Sequence, residues 1–344
     1  MKKKVVIGLS GGVDSSVALH LLKEQGYECV GVTMKVWDET ETEDAKALAE
    51  KFGIEYRIVD FREQFKDKVQ DYFVNEYLAG RTPNPCTVCN RYVKLEALLS
   101  VADEVGADYV ATGHYARIVK LDNGRYTLMK TPTANKEQTY ALFRLSQEQL
   151  GRILMPVGEY TKDEIRNIAR EIGIDVADKP DSQEICFIPD NDYAGFIARY
   201  TGKTSAPGNF VDMNGKVLGQ HNGIIHYTVG QRKGLNLSLG RPAFVVELKP
   251  ETNEVVIGTN EDVFSDTLYA GDINYMGLDR IPEGGITAIG KIRYAHAGAV
   301  CRVTVEVDGR IKVVFDEPQR AITPGQAIVL YDGDKVLLGG TILK

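Results

Sequence analysis

A seven-residue stretch near the N terminus, Ser10-Gly11-Gly12-Val13-Asp14-Ser15-Ser16, constrains the fold more than anything else in the chain. It follows the apolar run 5–9 and precedes residues 15–25, whose apolar positions recur with helical spacing. It therefore reads as the turn between a buried strand and a helix. Adjacent glycines let the backbone curl until successive N–H groups converge, the helix N terminus adds positive potential, and the serines add hydroxyl donors. The expected product is an anion cradle. It is not a Walker loop, because the Gly-Lys-Ser/Thr ending is missing.

The same alternation continues downstream. Strands are expected at 5–9, 28–34, 55–60 and 109–112, with helices at 15–25, 41–52, 62–78 and 91–105 between them. That is an open α/β parallel sheet, and ligands in such sheets bind across neighbouring strand ends. Met34 and Gly113, at the ends of the second and fourth strands, become candidates for nucleoside contact. Residues 116–130 read as a hairpin around Asp122-Asn123-Gly124. Thr161 and Glu164 form a capping box, and Asp190 is placed to cap a helix running toward Tyr200. Beyond about Thr204 the pattern turns to short β-branched runs and Gly-rich turns, an all-β tail.

At 344 residues the chain exceeds one core, and the pattern changes place its parts at 1–205, 206–265 and 266–344. The N-terminal apolar run is broken at once by Gly11, Gly12 and Asp14, so it is no signal peptide, and no membrane span is visible. Cytoplasmic residence is the expectation. The net charge of -7 offers no global attraction for nucleic acid. A local basic surface is suggested by residues 213–246, which lack Asp and Glu but carry Lys216, Arg232, Lys233 and Arg241 with His221 and His226.

Five cysteines without framework spacing argue for reduced thiols. Cys29 and Cys301 sit in apolar strand patterns and read as core. Cys86 and Cys89 form a CxxC in Thr82-Pro83-Asn84-Pro85-Cys86-Thr87-Val88-Cys89-Asn90, just before a helix whose N terminus would favour a Cys89 thiolate. No second CxxC or paired histidines complete a zinc site. Cys186 lies in a further segment, Asp181-Ser182-Gln183-Glu184-Ile185-Cys186-Phe187, read as a loop.

The glycine-serine loop resembles the PP-loop of ATP pyrophosphatases. Taken in order with TPNPCTVCN, TGHYAR at 112–117, KEQTY at 136–140, DSQEICF at 181–187, YTVGQRKGL at 227–235 and TPGQ at 323–326, it closely resembles the bacterial tRNA-specific 2-thiouridylases over nearly the whole chain. The resemblance implies an adenine nucleotide alpha hydrolase-like PP-loop domain, a small central domain and a C-terminal β-barrel. Together these would grip a tRNA anticodon arm and make 2-thiouridine at the wobble position. It implies ATP contacts at Gly8, Leu9, Ser10, Gly11, Gly12, Val13, Asp14, Ser15, Met34 and Gly113. The target base would face Asn84, Pro85 and Cys86. The tRNA would touch His114, Lys136, Glu137, Gln138, Arg293, Tyr294 and Gln326. Cys89 matches the nucleophile and Cys186 the carrier of sulfur as a persulfide.

A uracil oxygen leaves poorly, so adenylation by ATP would convert it to departing AMP, with magnesium screening the phosphates and Asp14 as its protein contact. Sulfur would come from the Cys186 persulfide or as hydrosulfide released by Cys89, under a closing 181–187 loop. Many family members carry Asp where Cys86 stands, and the extra thiol opens a second route, a four-iron, four-sulfur cluster on Cys86, Cys89 and Cys186. The sulfur itself would come from a cysteine desulfurase, a sulfur-relay protein or free sulfide. The competing functions are a PP-loop amidotransferase or ligase, which leaves the cysteines unexplained, and a non-catalytic RNA-binding protein.

Overall fold

The computed structural model describes residues 2–38, 40, 42–132, 137–174 and 185–343. Largely apolar segments form a parallel sheet, buried at its centre and part-exposed at its Glu55–Asp60 edge. Its strands are β1 (Lys4–Gly8), β2 (Glu28–Lys35), β3 (Glu55–Asp60) and β4 (Tyr109–Ala111). After a hairpin of β5 (Arg117–Lys120) and β6 (Tyr126–Met129), the short strand β7 (Ile153–Leu154) completes it. The order β3-β2-β1-β4-β7 puts the reversal of winding between β1 and β4. The loop after β1 and the residues after β4 therefore flank the crevice where such sheets bind ligands. Val5, Val6 and Ile7 are fully buried in β1, and helix Val13–Glu24 packs over Val5 and Ile7 through Val17, Leu19 and Leu22.

Two helices differ from the sequence reading. The expected helix at 91–105 starts six residues earlier, as Pro85–Cys89, passes through a π turn at Asn90–Lys94, and continues as Leu95–Glu104. The Asn84 side chain accepts from the Cys86 N–H at 3.2 Å and Pro85 takes the first helical position. Both are strong starting residues, here hidden among prolines that read as a stiff approach. The helix at 62–78 is likewise interrupted by a π turn, Lys66–Gln70. Farther on, the cap of helix Tyr193–Thr201 is Asp192, which accepts from the Gly195 N–H at 2.9 Å, and Asp190 serves the Asp192 N–H instead. The capping box of Thr161 and Glu164 opens helix Lys162–Glu171 as expected.

The second part is a four-stranded sheet of β8 (Gly208–Asp212), β9 (Val217–His221), β10 (Phe244–Lys249) and β11 (Glu254–Gly258), in the order β10-β11-β8-β9. Phe210, Val245, Val255 and Ile257 bury against Phe73, Tyr77, Ile188 and Ile197. Lys216, His226, Arg232, Lys233 and Arg241 are exposed there. His221 is not part of that surface: it is 2% exposed, its Nδ1 accepts from the Gly223 N–H at 3.0 Å, and its Nε2 lies 3.1 Å from the Asn253 carbonyl. It is a satisfied core residue.

The remaining strands, β12 (Phe264–Tyr275), β13 (Ile286–Lys291), β14 (Ala299–Val305), β15 (Ile311–Arg320), β16 (Ala327–Asp332) and β17 (Lys335–Ile342), follow the order β12-β15-β14-β13-β16-β17. Pairing of β17 with β12 closes them into a barrel. Cys301 is fully buried inside it, and Cys29 is buried in β2. The barrel also enters the first part. Lys335 pairs with Met129 of β6, and the Tyr140 hydroxyl donates to the Ala327 carbonyl at 2.9 Å. One continuous core holds Val6, Leu98, Leu128, Tyr140 and Phe143 together with Val329, Tyr331 and Val336.

Candidate active site

The loop after β1 is shaped by its own hydroxyls. Ser15 Oγ donates to the Gly12 carbonyl at 3.1 Å, Ser16 Oγ does so at 2.9 Å, and Ser10 Oγ accepts from the Gly12 N–H at 3.4 Å. Gly11 has φ +72°, and a Cβ there would stand 2.8 Å from Asp44 Cβ. No side chain caps the helix start at Gly12, so the first-turn N–H groups remain directed at the crevice. Leu9 and Val13 bury their side chains in the core and present only backbone. Across the crevice, a Cβ on Gly113 would come within 2.7 Å of the Asp14 carbonyl carbon and the Ser15 nitrogen. Met34 lies over the end of β1, its Cε 3.8 Å from where a Gly8 Cβ would be. The structure thus gathers Gly8, Ser10, Gly12, Asp14, Ser15, Met34 and Gly113 around one crevice.

Asp14 is engaged within the protein. Its Oδ1 accepts from the Tyr115 hydroxyl at 2.6 Å and pairs with Lys162 Nζ at 2.7 Å. Tyr115 is held in turn by Gln138, whose Oε1 accepts from the Tyr115 N–H at 2.8 Å. Gln138 therefore positions the loop from behind. Glu137 is buried, accepts from the Thr139 N–H and pairs with Lys291 at 3.9 Å. Lys136 and residues 181–184 lie outside the described residues.

The thiols come together beside this crevice. Cys186 is 97 residues from Cys89 in sequence, but its neighbour Phe187 stacks edge-on with Phe65 and Phe73, at 5.5 Å in each case. Phe65, Val69, Val93 and Cys89 form the same apolar cluster, with Phe187 packed on it. Cys86 and Cys186 are exposed, Cys89 is buried, and none is bridged. The position at the helix start belongs to Cys86 rather than Cys89, which ends the first helical segment. Burial pushes the Cys89 thiol up to about 12, opposite to the thiolate expected from a helix N terminus. Burial raises Cys186 as well.

Lys94 is the counterweight, and sequence reasoning missed it. Its charge lowers both Cys89 and Cys186. Burial works against its ammonium, yet Cys89, Cys86 and Cys186 facing it hold its pKa above the ordinary lysine value. In a regular α-helix, five residues at 3.6 per turn would leave Lys94 about 140° round from Cys89. The π turn, closed by the Leu95 N–H on the Asn90 carbonyl, widens the turn and returns Lys94 to the cysteine face. Lys94 also bears on His114, which burial first and then Lys94 push down to about 3. His114 Nδ1 lies 2.9 Å from Thr112 Oγ1. Since His114 follows Gly113, one cation links the thiols to the nucleotide crevice.

The other expected tRNA contacts divide. Gln326 Nε2 donates to the carbonyls of Thr82 at 3.0 Å and Pro83 at 3.4 Å, holding the Asn84-Pro85-Cys86 segment. Arg293 Nη1 donates to the Arg320 carbonyl at 3.0 Å. Tyr294 is 47% exposed and lies edge-on to Tyr140 at 6.2 Å. Among the described residues no group of three or more His, Cys, Asp or Glu is arranged to hold a metal ion. The three thiols have the chemistry for an iron–sulfur cluster but not, in this arrangement, the geometry of one.

Three family models match in succession: a tRNA methyl transferase HUP domain over residues 3–190, a tRNA methyl transferase PRC-barrel domain over 194–259, and an aminomethyltransferase beta-barrel domain over 265–342. The tRNA-specific 2-thiouridylase MnmA of Lachnoclostridium phytofermentans is 58% identical, covering 99% of this chain and all of the relative. That of Carboxydothermus hydrogenoformans is 52% identical, covering 100% and 98%. A 4-thiouridine synthetase–RNA complex with bound ATP aligns at TM-score 0.37 and 19% identity over 55% of this chain and 46% of that one, too slight to argue from. The chain belongs to the tRNA-specific 2-thiouridylase family.

Proposed function

We propose that this chain is an ATP-dependent enzyme that converts a tRNA uridine, the wobble uridine of an anticodon arm, to 2-thiouridine. The observation that carries the reading is the convergence of Cys86, Cys89 and Cys186 on Lys94, which also bears on His114 at the nucleotide crevice. Three of the matching models are described by methyl or aminomethyl transfer, but a thiol cluster facing one ammonium has no task in methyl transfer. In sulfur transfer Cys89 and Cys186 each have one.

ATP would lie across β1 and β4 with its phosphates on the loop's N–H groups. The uridine C2 oxygen attacks the α-phosphorus, pyrophosphate leaves, and the N3 proton is lost to solvent. Cys89 then attacks the Cys186 sulfur of a persulfide, forming a Cys89–Cys186 disulfide and releasing hydrosulfide. The hydrosulfide attacks C2, the C–O bond breaks, AMP departs, and the hydrosulfide proton ends on N3. An external thiol reduces the disulfide, and a sulfur donor reloads Cys186. Magnesium would enter with the nucleotide, since a single carboxylate, Asp14, suits a metal carried mainly by phosphates. The exposed Lys216, Arg232, Lys233 and Arg241 and the exposed Tyr294 support docking of the tRNA. No helix among the described residues is long and apolar enough to cross a membrane, which accords with work in the cytoplasm.

The test is incubation with ATP, magnesium, unmodified tRNA and a persulfide donor, reading pyrophosphate and 2-thiouridine together. Both products are expected, and Cys186→Ala keeps pyrophosphate release while losing thiolation. Full thiolation by that variant, or ATP turnover indifferent to tRNA, would overturn the reading.

A further inference from the structure

Sulfur transfer as set out above uses Cys89 and Cys186 and leaves Cys86 idle, yet Cys86 faces the same ammonium, Lys94, as the other two thiols. The Asn84 cap and Pro85 start the helix so that Cys86 and Cys89 fall within one helical segment, Pro85–Cys89. With helical rise and pitch their α-carbons lie about 5 Å apart, inside the range that a disulfide spans. Cys186 is brought to the same cluster by Phe187, which stacks on Phe65 and Phe73. Cys89 is buried, whereas Cys86 and Cys186 are exposed.

That difference in exposure matters once sulfur has been released. The Cys89–Cys186 disulfide then has one half open to solvent, Cys186. A thiol from solution that attacks there leaves Cys186 capped as a mixed disulfide, and the sulfur carrier cannot be reloaded until the cap is removed. Attack on Cys89 frees Cys186 at once, but Cys89 is only 6% exposed. The thiol placed to reach it from within the protein is Cys86, one helical turn away. In such an exchange negative charge is shared by the attacking, central and leaving sulfurs. Lys94 interacts with all three, so one fixed cation serves every stage of the transfer.

We propose that Cys86 is the resolving thiol of this site. Its thiolate attacks the Cys89 sulfur, the Cys86–Cys89 bond forms, the Cys89–Cys186 bond breaks, and Cys186 leaves as thiolate to take up the proton that Cys86 gave up. No electrons enter at that stage. A dithiol from solution then attacks the exposed Cys86 sulfur, is oxidised to its own disulfide, and returns Cys86 and Cys89 as thiols. The proposal rests on the sulfur-transfer reading and adds to it the order in which the bridges form.

The experiment loads the full chain from a low-molecular-weight persulfide, removes the excess donor, and adds ATP, magnesium and unmodified tRNA without reductant. The reaction is quenched with N-ethylmaleimide and the bridges are mapped by mass spectrometry, for wild type and Cys86→Ser, with thermal midpoints measured alongside. In wild type the bridge is expected between Cys86 and Cys89, with Cys186 alkylated; in Cys86→Ser it is expected between Cys89 and Cys186. With a dithiol supplied, steady-state thiolation by Cys86→Ser is expected to fall at least about fivefold and to recover as the dithiol concentration is raised, which a damaged fold would not do. A wild-type chain that makes 2-thiouridine while its bridge stays between Cys89 and Cys186 overturns the proposal, and that outcome needs no variant. So does iron bound by the wild type and lost from Cys86→Ser when both are purified without oxygen, which would make the thiol a ligand. A wild type that forms neither bridge nor 2-thiouridine would instead overturn the sulfur-transfer reading itself.

Discussion

Gln326 donates from Nε2 to the carbonyl oxygen of Thr82 at 3.0 Å, across 244 residues of sequence. The barrel thereby grips the backbone immediately before Asn84, Pro85 and Cys86, and the Thr82 N–H returns the contact to the Pro324 carbonyl at 2.9 Å. Replacing Gln326 by Ala removes a neutral hydrogen bond, with a stability cost of about 1 kcal/mol. Thiolation is expected to fall several-fold with ATP affinity unchanged. Parallel nucleotide-binding and thiolation assays on Gln326→Ala decide the matter, and a matched loss in both would show that the contact is not specific to the Asn84-Pro85-Cys86 segment.

Gly113 admits no side chain, because a Cβ would meet the Asp14 and Ser15 backbone at 2.7 Å. Backbone on both sides leaves nothing that can swing aside. Gly113→Ala is expected to destabilise by about 1–3 kcal/mol and to weaken ATP binding. Denaturation followed by nucleotide titration checks this. A variant that binds ATP normally would mean the crevice opens there.

His114 gives a pH signature. Its folded pKa is pushed down to about 3 by burial and by Lys94, against about 6.5 for an unperturbed histidine. Below about pH 6.5 the unfolded chain takes up a proton that the folded chain refuses, so stability contributed by the neutral ring is present above that pH and lost as pH falls. Between pH 7 and pH 5 the loss is of order 2 kcal/mol. Urea denaturation of wild type and His114→Gln at both pH values should show a smaller drop in the variant. Equal drops would place the ring in water.

Lys94 lowers the pKa of Cys89 and Cys186, so neutralising it moves both further up. Lys94→Met is expected to slow alkylation of the exposed Cys186 at pH 8, since less of it is thiolate. Mass spectrometry of iodoacetamide-treated protein reads the effect site by site. An unchanged Cys186 rate would detach Lys94 from the sulfur chemistry.

How much of this was readable in advance follows the range of each interaction. The strand-loop-helix unit at 4–24 and the Thr161 capping box depend on residues adjacent in sequence, and both were legible. The start of helix Pro85–Cys89 is also local, set by the Asn84 cap and Pro85, yet it falls ahead of the expected start at residue 91 because the two nearby prolines mask it. Lys94 was not legible, since its direction depends on a π turn that no periodicity announces. Lys162 and Tyr115 reach Asp14 from 148 and 101 residues away. The meeting of Cys89 and Cys186 came only from family resemblance, and its physical cause is Phe187 in a cluster of aromatic rings. The state of Cys89 was inverted because burial, which outweighs any helix-end effect there, is a tertiary property.

The core shared between the first sheet and the barrel has a consequence for synthesis. Leu128, Tyr140 and Phe143 leave the ribosome nearly two hundred residues before Val329, Tyr331 and Val336, which cover them. A nascent chain must carry that apolar surface open until translation is almost finished. A stop codon just before Ala327 thus removes more than a terminal barrel, because it withdraws part of the interior of the nucleotide-binding region. Incomplete polypeptides thereby lack part of the packing that backs the crevice.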